Sequence, residues 1–175
     1  LNNLVDHGRL IVAMDNQTAQ NATLGSGTIN LNNGTLEFVG FGATLANPVA
    51  VGSGDGVLKS AQTLTLNGTL TTGGSRTLVF DSGAASTVIN GTVQNGNMTP
   101  NIFTFNTLSD VLVSGTIQNG PAALSFTKTG TGTLTFSNNN TYTGATNVNA
   151  GTLIVNGSIE NSVLTTVSGT GTLGG

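Results

Sequence analysis

The chain has 175 residues, with only 6 % charged and 5 % aromatic, a formal net charge of -3, 26 Gly, no Trp and no Cys. Four Lys and Arg are too few for the clustered cations that phosphate contacts draw on, which excludes a nucleic-acid partner and a polybasic membrane-surface patch. The missing Cys excludes disulfides and thiol chemistry, and no apolar run approaches the roughly 18 residues of a helical membrane span.

With 37 % hydrophobic residues the chain has material for a core, so its solubility must come from Thr, Asn and Ser on outward faces. No basic start followed by an apolar segment marks a signal peptide within it. Residues 1–175 read as one segment, either a fragment of something longer or a subunit that stacks on its neighbours.

In chain order, Gly8-Arg9-Leu10-Ile11-Val12 opens with a short apolar strand, and Asp15-Asn16-Gln17 reads as a turn. Thr28-Ile29-Asn30-Leu31 and Thr35-Leu36-Glu37-Phe38 follow, separated by Asn32-Asn33-Gly34. That Asn-Gly pair accepts positive φ, which leaves two arrangements open: a hairpin, or successive sides of one coil. Pro48 sits at the start of Val49-Ala50-Val51, where a missing N–H does little harm. After the glycine-rich turn 52–56 come strands at Val57-Leu58, Thr63 to Leu66, Thr69-Leu70, Arg76 to Phe80, Thr87 to Ile89 and Gly91 to Val93. The stretch from Asn95 to Asn101, with Pro100, reads as an outward loop. Phe103 to Phe105, Val111 to Val113, Thr116-Ile117 and Leu124 to Phe126 lead into the most regular part.

That part uses one phrase twice, Gly-Thr-apolar-x-apolar, at Gly132 to Phe136 and Gly151 to Val155. Leu134 and Phe136 alternate with Thr133 and Thr135, so an extended segment carries one apolar and one hydroxylated face. Weaker copies stand at Gly27, Gly34, Gly91, Gly115 and Gly171. Counted from Thr92 through Thr116, Thr133, Thr152 and Thr172 the steps are 24, 17, 19 and 20 residues. A period near 20 is too short for a helical-pair repeat and suits one coil of a β-solenoid. Nothing has helical periodicity. The expected fold is therefore all-β, a parallel β-helix of about 20 residues per coil and about nine coils, with Leu upon Leu inside. Gly before Thr is expected to supply a positive φ at the corner, and stacked Thr hydroxyls to bond along the ladder. Asn138-Asn139-Asn140 reads as an outward turn rather than an internal amide ladder, which would need asparagines in register in neighbouring coils.

Residues 128–137 (KTGTGTLTFS), 140–144 (NTYTG) and 146–157 (TNVNAGTLIVNG) together resemble the passenger-associated β-strand repeat of autotransporters, the self-exporting surface proteins of Gram-negative bacteria. Residues 167–174 are similar to the start of a further unit, and upstream of about residue 110 the likeness is one of style. Ala145 and Asn147 depart from the repeat, where Gly and Thr are common. The resemblance implies a right-handed parallel β-helix at the cell surface, displayed by a C-terminal outer-membrane β-barrel in the full-length protein.

For catalysis, carboxylates would have to converge. Asp6, Asp15, Asp55, Asp81, Asp110, Glu37 and Glu160 are scattered without a paired motif, and Asp15, Asp55 and Asp81 adjoin turn residues, where a carboxylate caps backbone. His7, the one imidazole, follows Asp6, but adjacent strand residues point to opposite faces. Residues 52–56 faintly suggest a calcium-binding nonapeptide, with Asp55 in the wrong register and no second copy. An ice-binding plane would need two Thr columns, yet the second outward position across the phrases is Asn30, Glu37, Val79, Gln94, Gln118, Thr135 and Ile154. No catalytic, cofactor or metal residue is therefore assigned, and no cofactor is expected. The leading expectation is a non-catalytic extracellular stalk or adhesin scaffold with weak glycan or cell-surface contacts. The alternatives are a filament joined coil to coil by end-to-end self-association and, less favoured, a glycan-cleaving enzyme.

Overall fold

The computed structural model describes residues 3–6, 8–13, 24–40 and 42–175, and within these every regular element is a strand. His7 and the turn expected at Asp15-Asn16-Gln17 lie outside the described residues. The first strands are β1 (Asn3–Asp6) and β2 (Arg9–Ala13), followed by a coil of β3 (Ile29–Asn32), β4 (Gly34–Val39) and β5 (Ala43–Leu45). Three more coils of the same design contain β6 (Val49–Val51), β7 (Gly56–Ser60) and β8 (Leu64–Leu66); β9 (Leu70–Thr72), β10 (Arg76–Asp81) and β11 (Thr87–Ile89); and β12 (Val93–Asn95), β13 (Asn101–Thr107) and β14 (Val111–Val113). The last coils hold β15 (Ile117–Gln118), β16 (Leu124–Thr129) and β17 (Thr133–Phe136), then the long strands β18 (Thr146–Val155) and β19 (Thr165–Gly174).

Every pairing between these strands is parallel, and each strand pairs with its counterpart one coil away. Side one is the six-stranded sheet β1-β3-β6-β9-β12-β15. Side two runs β2-β4-β7-β10-β13-β16 and side three β5-β8-β11-β14-β17, and the two join at β18 because its first half pairs β16 and its second half β17. The chain is thus a β-solenoid of about 7 turns, roughly 22 residues per turn, with no helix among the described residues. At about 4.8 Å per coil this makes a rod about 34 Å long.

The coil is longer than the sequence spacing suggests, and the register shows why. Partners lie 22 residues apart at Leu36 and Leu58, 27 at Leu78 and Phe105, and 19 at Leu134 and Leu153. The step of 17 from Thr116 to Thr133 passes from side one to side three and is no coil at all, while the final coils are the shortest. The 27-residue coil carries the loop 96–100, whose Met98 is 85 % exposed. Asn32-Asn33-Gly34 turns the chain between sides one and two, so the hairpin alternative falls away.

Inward positions alternate with outward ones on every short strand, and the inward ones stack. Leu45, Leu66, Ile89, Val113, Phe136 and Val155 form one such column in register. Five of these six are essentially buried, and each such side chain stabilises by about 1.5–3 kcal/mol relative to exposure. The core also holds a run of aromatic rings that steps diagonally across the register: ring centroids are 4.8 Å apart for Phe80 and Phe105, 4.8 Å for Phe105 and Phe126, and 5.1 Å for Phe126 and Phe136. Tilted and edge-on rings at that separation add about 0.5–1.5 kcal/mol per pair beyond area.

The glycines before Thr meet the expectation in part: Gly130 (77°), Gly151 (66°) and Gly169 (59°) have a positive φ, whereas Gly91, Gly115, Gly132 and Gly171 do not, and at the Asn-Gly corner it is Asn33, not Gly34, that does (55°). What Gly91 and Gly115 supply is the absence of a side chain. A Cβ on Gly91 would press into the Gly68 carbonyl of the coil below, and one on Gly115 into that of Gly91. These glycines let the coils approach closely at the corner between sides three and one.

Candidate functional site

Of the described acids that catalysis would need, two are tied into the backbone and two into ion pairs. Asp55 Oδ1 accepts the Thr77 N–H at 2.7 Å and Asp110 Oδ1 accepts that of Thr133 at 2.8 Å, each reaching one coil onward. The capping role expected of Asp55 is thus present, and the calcium alternative has its carboxylate already engaged. Asp81 pairs with Lys59 at 3.5 Å, not with backbone, and Glu37 pairs with Arg9. Since Glu37 is in register with Lys59, and Lys59 with Asp81, the four make a short charge ladder on the early coils of side two. Asp15 and the side chain of Asp6 lie outside what is described. Among the described residues no three of His, Asp and Glu cluster as metal ligands.

Asparagines do stack in register, but mostly on the outside. Asn90 Nδ2 donates to Asn67 Oδ1 at 2.9 Å, and Ser114 Oγ donates to Asn90 Oδ1 at 2.6 Å, one coil further. Asn138 continues this corner, donating to the Ser114 carbonyl at 3.4 Å and to Thr116 Oγ1 at 3.2 Å. Gln118 donates to Gln94 at 2.8 Å on side one. The run 138–140 is therefore only partly the outward turn expected. Asn138 and Asn139 are exposed, whereas Asn140 is buried and joins three coils: its Oδ1 accepts the Ile117 N–H at 2.9 Å and its Nδ2 donates to the Ser158 carbonyl at 3.1 Å.

The buried cation is what sequence reasoning missed. Lys128 is fully buried, in register between Phe105 and Val148. Its Nζ donates to the carbonyls of Thr129 (2.8 Å), Gly130 (2.9 Å) and Ala150 (3.0 Å), so the three hydrogens of an ammonium find three acceptors. Burial pulls its pKa from 10.5 down to about 8, with Asp110 pulling the other way. The signal was in the alternation: counted from inward Phe126, outward Thr127 leaves Lys128 pointing in. Tyr142, also buried, bonds Thr146 Oγ1 at 2.7 Å; burial pushes its phenol up to about 12, and the Thr146 bond opposes the shift. Both groups brace the repeat region and neither lines a cleft. An open apolar hollow of about 330 Å³ lies on the last coil, lined by Val155, Ile159, Leu173, Gly174 and Gly175.

With this geometry in view, the comparisons with known proteins are narrow. Residues 126–155 match the Passenger-associated-transport-repeat family. No curated protein and no solved structure matches the chain. The matched residues run from Phe126 in β16 through β17 to the end of β18, and include Lys128 and the last two rings of the aromatic run, Phe126 and Phe136. A repeat of this family within a parallel β-solenoid fits an autotransporter passenger domain.

Proposed function

We propose that this segment is the non-catalytic shaft of an autotransporter passenger, standing outside a Gram-negative cell as a stalk or adhesin scaffold and displayed by an outer-membrane β-barrel in the whole protein. The observation that carries the proposal is the passenger-associated repeat at residues 126–155 seated in register within the same coil stack as the rest of the described chain. The mechanism is geometric. Each coil satisfies the backbone of its neighbours and the core leaves no loose side, so the rod transmits reach and resists proteases. Its outward Thr, Asn and Ser offer weak contacts to glycans or neighbouring cells that gain strength by repetition. An epitope tag placed in the exposed loop at Met98 tests the location. Antibody should label intact cells, and treating those cells with protease should remove the label; labelling only after lysis would refute a surface role.

End-to-end assembly is a second reading, favoured by the exposure of Val163 (77 %) and Leu164 (59 %) beside β19. Sedimentation across a concentration series separates the two, because a finite monomer at all concentrations is incompatible with filaments.

A further inference from the structure

Side two changes character along the rod. Its early coils carry Arg9, Glu37, Lys59 and Asp81, whereas the outward positions of β13, β16, β18 and β19 carry no charge. Thr104, Thr127, Asn147 and Thr166 stand in register there, one per coil. Two residues further along each strand come Asn106 and Thr129, also in register, and then Asn149, whose Oδ1 accepts from Ser168 Oγ at 3.0 Å. The result is two parallel columns of hydroxyl and amide groups over four coils. They are about 4.8 Å apart along the rod and about 7 Å apart across it.

The residues compared above to exclude a regular hydroxyl plane do not form one column. Asn30, Gln94 and Gln118 lie on side one, Glu37 and Val79 on side two, and Thr135 and Ile154 on side three. That exclusion loses its premise, and side two has to be judged by its own residues.

Asn149 and Ser168 apart, these groups differ from the other stacked polar residues in having no side-chain bond among the described residues. At the Asn67, Asn90 and Ser114 corner, and at Gln94 and Gln118, neighbours satisfy each other. The side chains of Thr104, Thr129, Asn147 and Thr166 have no hydrogen-bond partner among the described residues, and all four are at least partly exposed. Thr127, at 9 % exposure, is recessed between them.

We propose that this half of side two binds an extended, uncharged polysaccharide lying along the rod axis, about one sugar per coil. An extended β-linked hexose chain advances by nearly the coil spacing per residue, and its ring hydroxyls can both donate to and accept from Thr and Asn. A face without charge has no means of holding an anionic chain against its hydration. Every described aromatic ring is buried, so no sugar can stack, and affinity must accumulate coil by coil. This deepens the contact role proposed above and rests on it for its setting.

The test is titration of the whole chain with uncharged β-1,4-linked oligomers of glucose, mannose and N-acetylglucosamine, from dimer to hexamer, read by amide shifts in nitrogen-15 spectra. At least one series should shift β13, β16, β18 and β19, tighten with each added sugar, and level off near the tetramer. Combining T104V and T166V keeps the side-chain shape and removes two hydroxyls. It should weaken tetramer binding by about tenfold with the unfolding midpoint unchanged, while T65V on side three should change nothing. Absence of binding in all series overturns the proposal, as do shifts confined to other sides, binding unmoved by the double variant, or tighter binding of an anionic polygalacturonate. Inhibition of ice growth without sugar binding would assign the array to ordered water instead. Surface labelling of intact cells alongside a failed titration would sink the face assignment and leave the shaft reading standing.

Discussion

At the scale of single residues, stability rests on groups that a composition count would pass over. Gly91 is one: G91A forces a methyl against the Gly68 carbonyl of the adjacent coil and should cost about 1–3 kcal/mol in urea unfolding. G83A, where a Cβ meets nothing and only the positive φ (57°) is strained, should cost about 1 kcal/mol. Lys128 and Tyr142 give the protein an alkaline signature. Unfolded, Lys128 keeps its proton to its ordinary 10.5; folded, it gives it up near 8. Between these values the unfolded state binds more protons, so stability climbs as pH rises from about 8 toward 10.5. Tyr142 acts in the opposite sense, since folded it holds its proton to about 12 and unfolded it ionises near 10; stability therefore falls above pH 10. Denaturation midpoints measured from pH 7 to 11 should rise and then fall, and K128M should abolish the rise. The inward place of Lys128 was legible from alternation, but its three carbonyl partners were not, because Ala150 reaches it only when the next coil is laid on.

At the scale of elements, the strands are short and their boundaries follow the alternation, so β8, β11 and β17 agree with their Thr and apolar patterns and β14 with its apolar one. Between strands, corner chemistry decides. The exposed ladder through Asn67, Asn90 and Ser114 exchanges hydrogen bonds that water could replace, so N90A should cost less than about 1 kcal/mol. Asn140 is buried, and its removal strands the Ile117 N–H; N140A should cost about 2–4 kcal/mol by the same unfolding assay. Sequence alone could not separate these asparagines. All are polar residues at turns, and only the stacking of neighbouring coils makes one a surface rung and the other an internal brace.

At the scale of the whole molecule, a stack of coils held by nearest neighbours should be nearly indifferent to salt. Few ion pairs are present among the described residues, and Arg9 and Lys59 are about half exposed in theirs, where such a pair contributes roughly 0–1 kcal/mol. Unfolding midpoints in low and in molar NaCl should accordingly agree, once the general effect of salt on apolar burial is subtracted with a Glu37→Gln, Asp81→Asn control. Hydrogen exchange should grade along the rod, slowest where the run of aromatic rings extends from Phe80 to Phe136 and fastest in β19, whose residues are almost all exposed.

The strand character of the chain, its parallel coiling and the identity of the repeat at residues 126–155 were already determined by the sequence. Alternation along a strand is a local property of the backbone, and the Gly-Thr-apolar phrase repeats it without interruption from a helix. Which phrase lies upon which was decided only by the tertiary structure. Corners of unequal length set coils of 19 to 27 residues, and that register alone turned Lys128 into a core residue and gathered Thr104, Asn147 and Thr166 onto one face. Stacking is a contact between residues some 22 positions apart, and no local pattern can count that distance when the corners between them vary.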